Sequence, residues 1–385
     1  MNRFLILSIF VGYVLTATQA QDWSEIPVPA DPGDGFIWEL ADNYSDDFNY
    51  AGKASEEFTS KWNHKYHNAW TGPGLTEWNS NHSDVADGNL IITVSRKQGT
   101  DKVLCGVITS KTKLIYPIYM EAKIKASNQV LSSNFWLLSE DDTRELDILE
   151  VYGGDRDDQT WFAQRMSTNF HIFERDPKSN AILNNFDDQT HHTLPGLEPW
   201  RNDFHRYGVY WKSPTHITFY IDGEEKNTFT DVNMESYDDN YIDREMFMII
   251  DTEDHAWRSD QGLVATNEEL ADESKNKMLV DWVRVYKPIE GEDTKANFTN
   301  KEKNFAEVYP NPIQSNSFFL HLNENEGSVR ISIMNLYGNI MSSFISNNKI
   351  MNIDTRIFAK SGLYILRVET DEKSYTHKLL VRKLH

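Results

Sequence analysis

Glu145-Leu146-Asp147-Ile148-Leu149-Glu150 sets three carboxylates among apolar residues, and Val151-Tyr152 continues the run. On a regular strand Glu145 and Asp147 share a face, because side chains alternate with a period of two. Glu150, five residues after Glu145, then points the other way. A β-bulge between Asp147 and Glu150 adds one residue and returns Glu150 to the Glu145 side. A helix would scatter positions i, i+2 and i+5 around its axis. The strand reading therefore predicts three acids on one face of a sheet, with Ile148 and Leu149 suited to a core. The competing reading is an exposed acidic strand, whose neighbouring like charges repel to no benefit.

A pair of carboxylates is the minimal apparatus of glycoside hydrolysis. In the retaining form one ionised acid attacks the anomeric carbon, and one protonated acid serves the leaving oxygen about 5–5.5 Å away. Four to five strand residues cover roughly 13–16 Å of backbone. A bulged, curved strand and two long Glu side chains leaning inward must close that gap. Asp147 between them would hydrogen-bond one partner, and its charge would help keep the acid/base protonated.

Working outward, β signals dominate. In His216–Gly223, Ile217, Phe219 and Ile221 share a face and Asp222-Gly223 makes a tight turn. Asn89–Ser95, Tyr116–Lys125 and Val280–Tyr286 alternate in the same way. Strands spaced by Gly, Asp and Asn turns predict an all-β sandwich of two antiparallel sheets. Asn267–Asn276 is a candidate short helix.

The chain has 385 residues, 39% hydrophobic and 12% aromatic, enough to bury a core. That is room for two or three domains at roughly 100–200 residues each. The formal charge of −21 argues against binding nucleic acid or anionic membrane. No internal stretch approaches the roughly 20 apolar residues of a membrane span.

Residues 1–20 read as a signal peptide: Arg3, the apolar run Phe4–Leu15, then small residues before Gln21. A membrane anchor is the alternative, and no Cys follows the run to carry a lipid. Cys105 is the single cysteine and cannot form an internal disulfide; it lies in an apolar run that suits burial. Twelve histidines form no H-E-x-x-H and no Cys/His cluster, so no catalytic metal is expected. His191-His192 sits in a polar stretch and is expected to face solvent.

Residues 21–289 hold the Trp-, His- and acid-rich region that contains the acidic strand. Residues 290–304 are polar, lack apolar periodicity and read as a linker. Residues 305–385 contain no Trp, and their alternating runs Ser328–Met334 and Gly362–Val368 predict a small β-sandwich.

The run ELDILE resembles the bulged active-site strand E-x-D-x-x-E of glycoside hydrolase family 16, which includes laminarinases, κ-carrageenases, porphyranases and β-agarases. The resemblance implies a curved β-jelly roll with a substrate cleft on its concave sheet. It also implies Glu145 as nucleophile, Asp147 as assisting acid and Glu150 as acid/base. Trp23–Pro32, Trp70–Gly74, Trp161–Met166, Trp200–Tyr210 and Asp281–Pro288 resemble the β-agarase branch in particular. That points to a secreted, monomeric, endo-acting, retaining enzyme cutting β-1,4 linkages of agarose to neoagaro-oligosaccharides. Porphyranases share the fold and the acidic strand. A non-catalytic galactan lectin or adhesin is the reading from another class, although a lectin needs no acid/base pair.

Further site residues follow from the same resemblance. Trp70 and Trp136 match stacking tryptophans of agarases. For Trp136 a core position is the alternative, although Phe135 and Leu137 beside it must face the core, which leaves Trp136 on the Glu145 side. Alternation over Arg165, Ser167, Asn169 and His171 puts those polar groups on one face. Arg175 matches a substrate-binding arginine. Glu253 and Trp257 fall on an expected cleft-edge loop, and Glu273 matches an acidic sugar contact. A structural Ca²⁺ is expected at Asp47, Gly88 and Asp281, since hard cations take carboxylate and carbonyl oxygens. The tail motifs Val308–Pro312, Met334–Gly338, Ser361–Val368 and Lys378–Lys383 resemble the sorting domain read by type IX secretion machinery. A carbohydrate-binding module is the alternative for the tail, against which stands its lack of Trp.

Overall fold

Alternation sorts the side chains of each strand between a core and a cleft. In the strand Ser132–Ser139, Phe135 and Leu137 join the main core, while Asn134, Trp136 and Leu138 line a cleft on the other face. In Met166–Arg175 the core takes Met166, Phe170 and Ile172; the cleft takes Asn169, His171, Phe173 and Arg175. In Met246–Glu253 the core takes Met246, Met248 and Ile250, and the cleft takes Glu253. Period-two patterning thus builds the core and the site at once.

The computed structural model describes residues 23–33, 35–230, 241–291 and 306–382, apart from 310, 312, 314–316, 323–327, 336–338, 359 and 371–373. The targeting segment 1–20 lies outside the described residues. So does the linker beyond Gly291, and so do parts of the tail motifs 308–312 and 334–338.

Two sheets make the first unit. The cleft sheet runs Ile182–Asp187, Met166–Arg175, Arg144–Tyr152, Ser132–Ser139, Met246–Glu253, Val107–Ser110 and Trp62–Asn63, with Thr190–His192 added beside Met166–Arg175. The second sheet runs Glu224–Phe229, His216–Ile221, His205–Ser213, Ile118–Lys125, Lys277–Glu290, Asn89–Arg96, Val103–Cys105 and Thr76–Trp78. Leu146, Ile148 and Leu149 of the acidic strand share one buried cluster with Met120, Ile124, Val209, Phe219 and Val283 of the second sheet. Each such side chain contributes about 1.5–3 kcal/mol by leaving water.

Local chemistry sets the turns and ends. Asp222 and Gly223 both have positive φ, 52° and 85°, which suits the tight hairpin between His216–Ile221 and Glu224–Phe229. The expected helix is only Asn267–Ala271; Thr266 and Glu269 form a reciprocal cap at its start. Cys105 is fully buried.

The N-terminal motif has a structural role. Arg284 and Glu121 form a fully buried ion pair, Nη2 to Oε2 2.5 Å, and Arg284 Nη1 donates to the Ile26 carbonyl at 2.5 Å. Trp23 packs edge-on against Trp282. The segment after Trp23 is therefore tied to Lys277–Glu290, and removing either charge would leave the other stranded.

The chain divides into two compact units, one up to Gly33 and Ile37–Ile289, the other Glu290–His385 with Asp34–Phe36. In the second, Ala306–Tyr309, Ser317–Leu322 and Ile350–Asp354 form one sheet. Ile340–Ser346, Val329–Met334, Gly362–Glu369 and Ser374–Val381 form another. It has its own core of Phe318, Leu320, Ile331, Ile333, Leu366 and Val368.

Candidate active site

The acidic strand Arg144–Tyr152 carries the bulge at the expected place. Against Met166–Arg175, Glu145 pairs with His171, Asp147 with Asn169, and Glu150 with Ser167. Three steps along one strand thus meet two along the other. The extra residue brings Glu145, Asp147 and Glu150 into the lining of one cleft of about 840 Å³.

The acids sit among named partners. His171 Nε2 lies 3.3 Å from Asp147 Oδ2 and 3.7 Å from Glu145 Oε1, and its Nδ1 is 3.0 Å from Asn185 Oδ1. Burial opposes a charge on His171, but the hydrogen bond to Asp147 and the charges of both acids win and raise it to about 10. Asn169 Nδ2 also lies 3.0 Å from His171 Nε2. Burial pushes Glu145 up to about 8; the Asp147 charge adds to this and the His171 charge opposes it. His171 is thus the neighbour that pulls Glu145 toward its ionised form, against burial and the Asp147 charge. Glu150 Oε1 accepts from the Tyr152 hydroxyl at 2.5 Å.

A second buried network lies on the neighbouring strands. Asp251 accepts from Trp136 Nε1 at 2.8 Å and from Asn134 Nδ2 at 2.8 Å. Glu253 Oε1 accepts from Asn134 at 3.2 Å and lies 3.1 Å from His255 Nε2. Burial opposes the His255 charge, but the bond to Glu253 and its charge raise it to about 9. Burial, then the charge of Glu253, holds Asp251 well above the usual carboxylate range.

Aromatic walls flank the acids. Trp70, 46% exposed, projects from the loop before Gly74 and meets Tyr66 edge-on at 5.2 Å. Gly74 has φ +52°, and a Cβ there would lie 2.1 Å from Asp254 Oδ2, the oxygen that accepts the Leu75 N–H at 2.8 Å. The glycine lets the Trp70 loop close onto Asp254. Trp136 is on the Glu145 side as its neighbours predict, but only 7% exposed: it is a set floor, packed with Tyr66, Leu138 and Ile249. Trp257 lies in the helical turn Ala256–Ser259, 48% exposed at the cleft wall. Arg175 lines the cleft, with Nε on the Asp142 carbonyl at 2.7 Å.

Several expectations are corrected. Arg165 is not a cleft residue: Met166–Arg175 begins after it, and the helical turn Thr160–Ala163 before it breaks the alternation. Its guanidinium stacks 4.7 Å from the Trp161 ring instead. Glu273 is 84% exposed, pairs with Lys277 at 3.0 Å and does not line the cleft. Glu253 ends a central strand and is buried in the floor, where a cleft-edge loop was expected. Of the His191-His192 pair, His191 is exposed as expected, whereas His192 is half-buried in the short strand Thr190–His192, where burial pulls it down to about 4. The sequence reading missed Tyr66, Asn134, Asp251 and His255. Asn134, two residues before Trp136, carried a signal through alternation, and so did Asp251 and His255, two residues before and after Glu253; Tyr66 reaches the cleft from a distant segment and carried none.

Asp47, Gly88 and Asp281, the residues expected to hold Ca²⁺, do not line the cleft. Asp46 bridges to Val283, Gly88 approaches the Asn49 side chain, and Asp47 accepts the Asn49 N–H at 3.2 Å. Asp281 pairs with Lys123 at 2.6 Å.

Residues 38–288 match the family described as "Beta-porphyranase A-D, GH16 domain". The chain belongs to glycoside hydrolase family 16. Among its family 16 relatives, the β-agarase AgaB34 of Agarivorans albus is 56% identical over 75% of this chain and 65% of its own length. The β-agarase AgaA of Microbulbifer thermotolerans is 45% identical over 79% of this chain and 72% of its own. The solved β-agarase A of Zobellia galactanivorans superposes with a TM-score of 0.64 at 43% identity, covering 71% of this chain and 100% of that one. The family 16 jelly roll is therefore the fold of the first unit. The chain spans slightly less than two thirds of the Agarivorans relative. Residues 307–382 match a secretion-system C-terminal sorting domain.

Proposed function

We propose that the protein is a secreted endo-acting, retaining β-agarase that cuts β-1,4 linkages of agarose. The observation that carries the chemistry is the bulged strand, which sets Glu145 and Glu150 on one cleft floor with Asp147 and His171 between and beside them. Glu145 attacks the anomeric carbon while Glu150 protonates the departing oxygen. Glu150 then takes a proton from the water that resolves the glycosyl-enzyme. Trp70 and Trp257 offer exposed indole faces to sugar rings. Trp136 and Arg175 fix the floor between.

A neutral galactan fits this cleft better than a sulfated one. Its lining carries the acids Asp142, Glu145, Asp147, Glu150, Asp187 and Glu253, in excess over Arg175 and the two raised histidines His171 and His255. A sulfate ester would meet like charge there. The identities to β-agarases point the same way. Reducing-end release from agarose, set beside porphyran, κ-carrageenan and laminarin, tests the reading. Agarose should give most product; preferential cleavage of porphyran would replace agarase by porphyranase, and no cleavage of any would leave a binding protein.

The sorting domain makes the protein a secreted one, free or attached to the cell surface, handled by type IX secretion machinery. Among the described residues no helix is long and apolar enough to cross a membrane. A monomer is part of the proposal. So is a structural Ca²⁺ at Asp47, Gly88 and Asp281, supported by the approach of Gly88 to the Asp47–Asn49 turn and by the Asp46–Val283 bridge. Lys123 neutralises Asp281, and a bound ion would take over that role. A chelator should then lower the melting temperature by several degrees, with recovery on added Ca²⁺. An unchanged melt removes the ion.

A further inference from the structure

Arg258 is 1% exposed and, among the described residues, has no carboxylate partner: its Nη2 donates to Gln159 Oε1, and its Nε and Nη1 meet no acceptor. Aromatic faces hold it instead. Its guanidinium carbon lies 4.0 Å from the ring centres of both Tyr152 and Phe162. A buried cation is costly unless its surroundings use it, and stacked rings are a favourable partner for a guanidinium. Tyr152, the last residue of the acidic strand, is nearly buried and donates its hydroxyl to Glu150 Oε1 at 2.5 Å. Burial, then the Glu150 charge, pushes that phenol well above its ordinary range, so it remains a donor wherever the enzyme works.

We propose that Tyr152, clamped by Arg258, is a positioning residue that fixes which oxygen of Glu150 carries the catalytic proton. The proposal rests on the reading of Glu150 as acid/base. Oε1 accepts the phenol O–H, so the proton of the neutral acid sits on Oε2 and faces the glycosidic oxygen. In the first step a Glu145 oxygen bonds to the anomeric carbon as the glycosidic C–O bond breaks, the Oε2 proton moves to the departing oxygen, and its bonding pair stays on the Glu150 carboxylate. The phenol bond strengthens as that charge develops, which favours the transition state over the ground state. In the second step Oε2 takes a proton from water as the water oxygen bonds to carbon and the bond to Glu145 breaks. Arg258 follows Trp257 in the same helical turn, so the clamp also ties that cleft wall to the acidic strand.

Other groups also face Glu150. Glu145 and Asp147 share its strand, and Asn134 and Ser167 lie opposite it on the two flanking strands. His191 lies 3.4 Å from Ser167. Glu253, His255 and Arg258 also feel its charge. Tyr152→Phe leaves all of these in place and keeps the ring that Arg258 stacks on. It removes only the donor, which favours ionised Glu150, so the acid should hold its proton to higher pH.

The test measures kcat and KM against pH for Tyr152→Phe and Arg258→Met, on agarose and on an agaro-oligosaccharide with a nitrophenol leaving group. Glu150→Ala is the reference. Tyr152→Phe should lower kcat on agarose at least about tenfold, within the ~10²–10⁴-fold that a positioned acid contributes, with KM little changed. Its basic limb should move to higher pH. The loss on the nitrophenyl substrate should be much smaller, because that leaving group needs no proton. Arg258→Met should shift both readouts in the same direction by less; if it does not fold, Tyr152→Phe alone decides. A wild-type pH profile in Tyr152→Phe, or equal losses on both substrates, overturns the proposal. Near-wild-type agarose cleavage by Glu150→Ala would instead overturn the acid/base reading beneath it.

Discussion

Glu145 and His171 show how two residues divide one electrostatic problem. Burial makes Glu145 hold its proton up to about 8, while attack requires it ionised. The His171 charge, 3.7 Å away, favours the ionised form. His171→Gln should therefore raise the Glu145 pKa further and move the acidic limb of the pH–rate profile upward by about one unit or more. The basic limb should stay. A shift to lower pH, or none, contradicts this role. Glu145→Gln and Glu150→Gln should each reduce agarose turnover by about 10³-fold or more while leaving the melting temperature and oligosaccharide binding nearly intact. Asp147→Asn should reduce it less. If Asp147→Asn is the most damaging of the three, the assignment of roles is wrong.

Strands, and the loops between them, decide which tryptophan does what. Trp70→Ala should weaken oligosaccharide binding with little change in melting temperature, because the ring is half-exposed on its loop. Trp136→Ala should also cost roughly 3–5 kcal/mol of stability, the cost of emptying a packed aromatic site. It also strips Asp251 of a buried donor. One thermal melt and one titration on each variant separate the two. The period-two pattern made Trp136's facing legible from Phe135 and Leu137, and the i, i+2, i+5 spacing of the acids made the bulge legible. Both are properties of a single strand. Arg165 was misplaced because the sequence does not show that the helical turn Thr160–Ala163 precedes the strand. Glu253 was misplaced because the polar stretch Asp251–Arg258 reads as loop, although its first three residues lie in a central strand. Tyr66 and the Arg258–Tyr152 contact depend on segments far apart in the chain, which local pattern does not encode.

The molecule as a whole joins a family 16 jelly roll to a sorting domain. Its two sheets share one core, and the acids occupy the other face of one of them. The same alternation that stabilises the sandwich therefore aims the catalytic groups, so the site is built on strands held from both sides. The central claim is that this arrangement cleaves agarose with retention, through a glycosyl-enzyme on Glu145. Proton NMR of the first products from agarose tests it most directly. The account predicts new galactose reducing ends that appear first as the β-anomer and only later equilibrate with the α-anomer. An α-anomer formed first, or no new reducing ends from agarose, would contradict it.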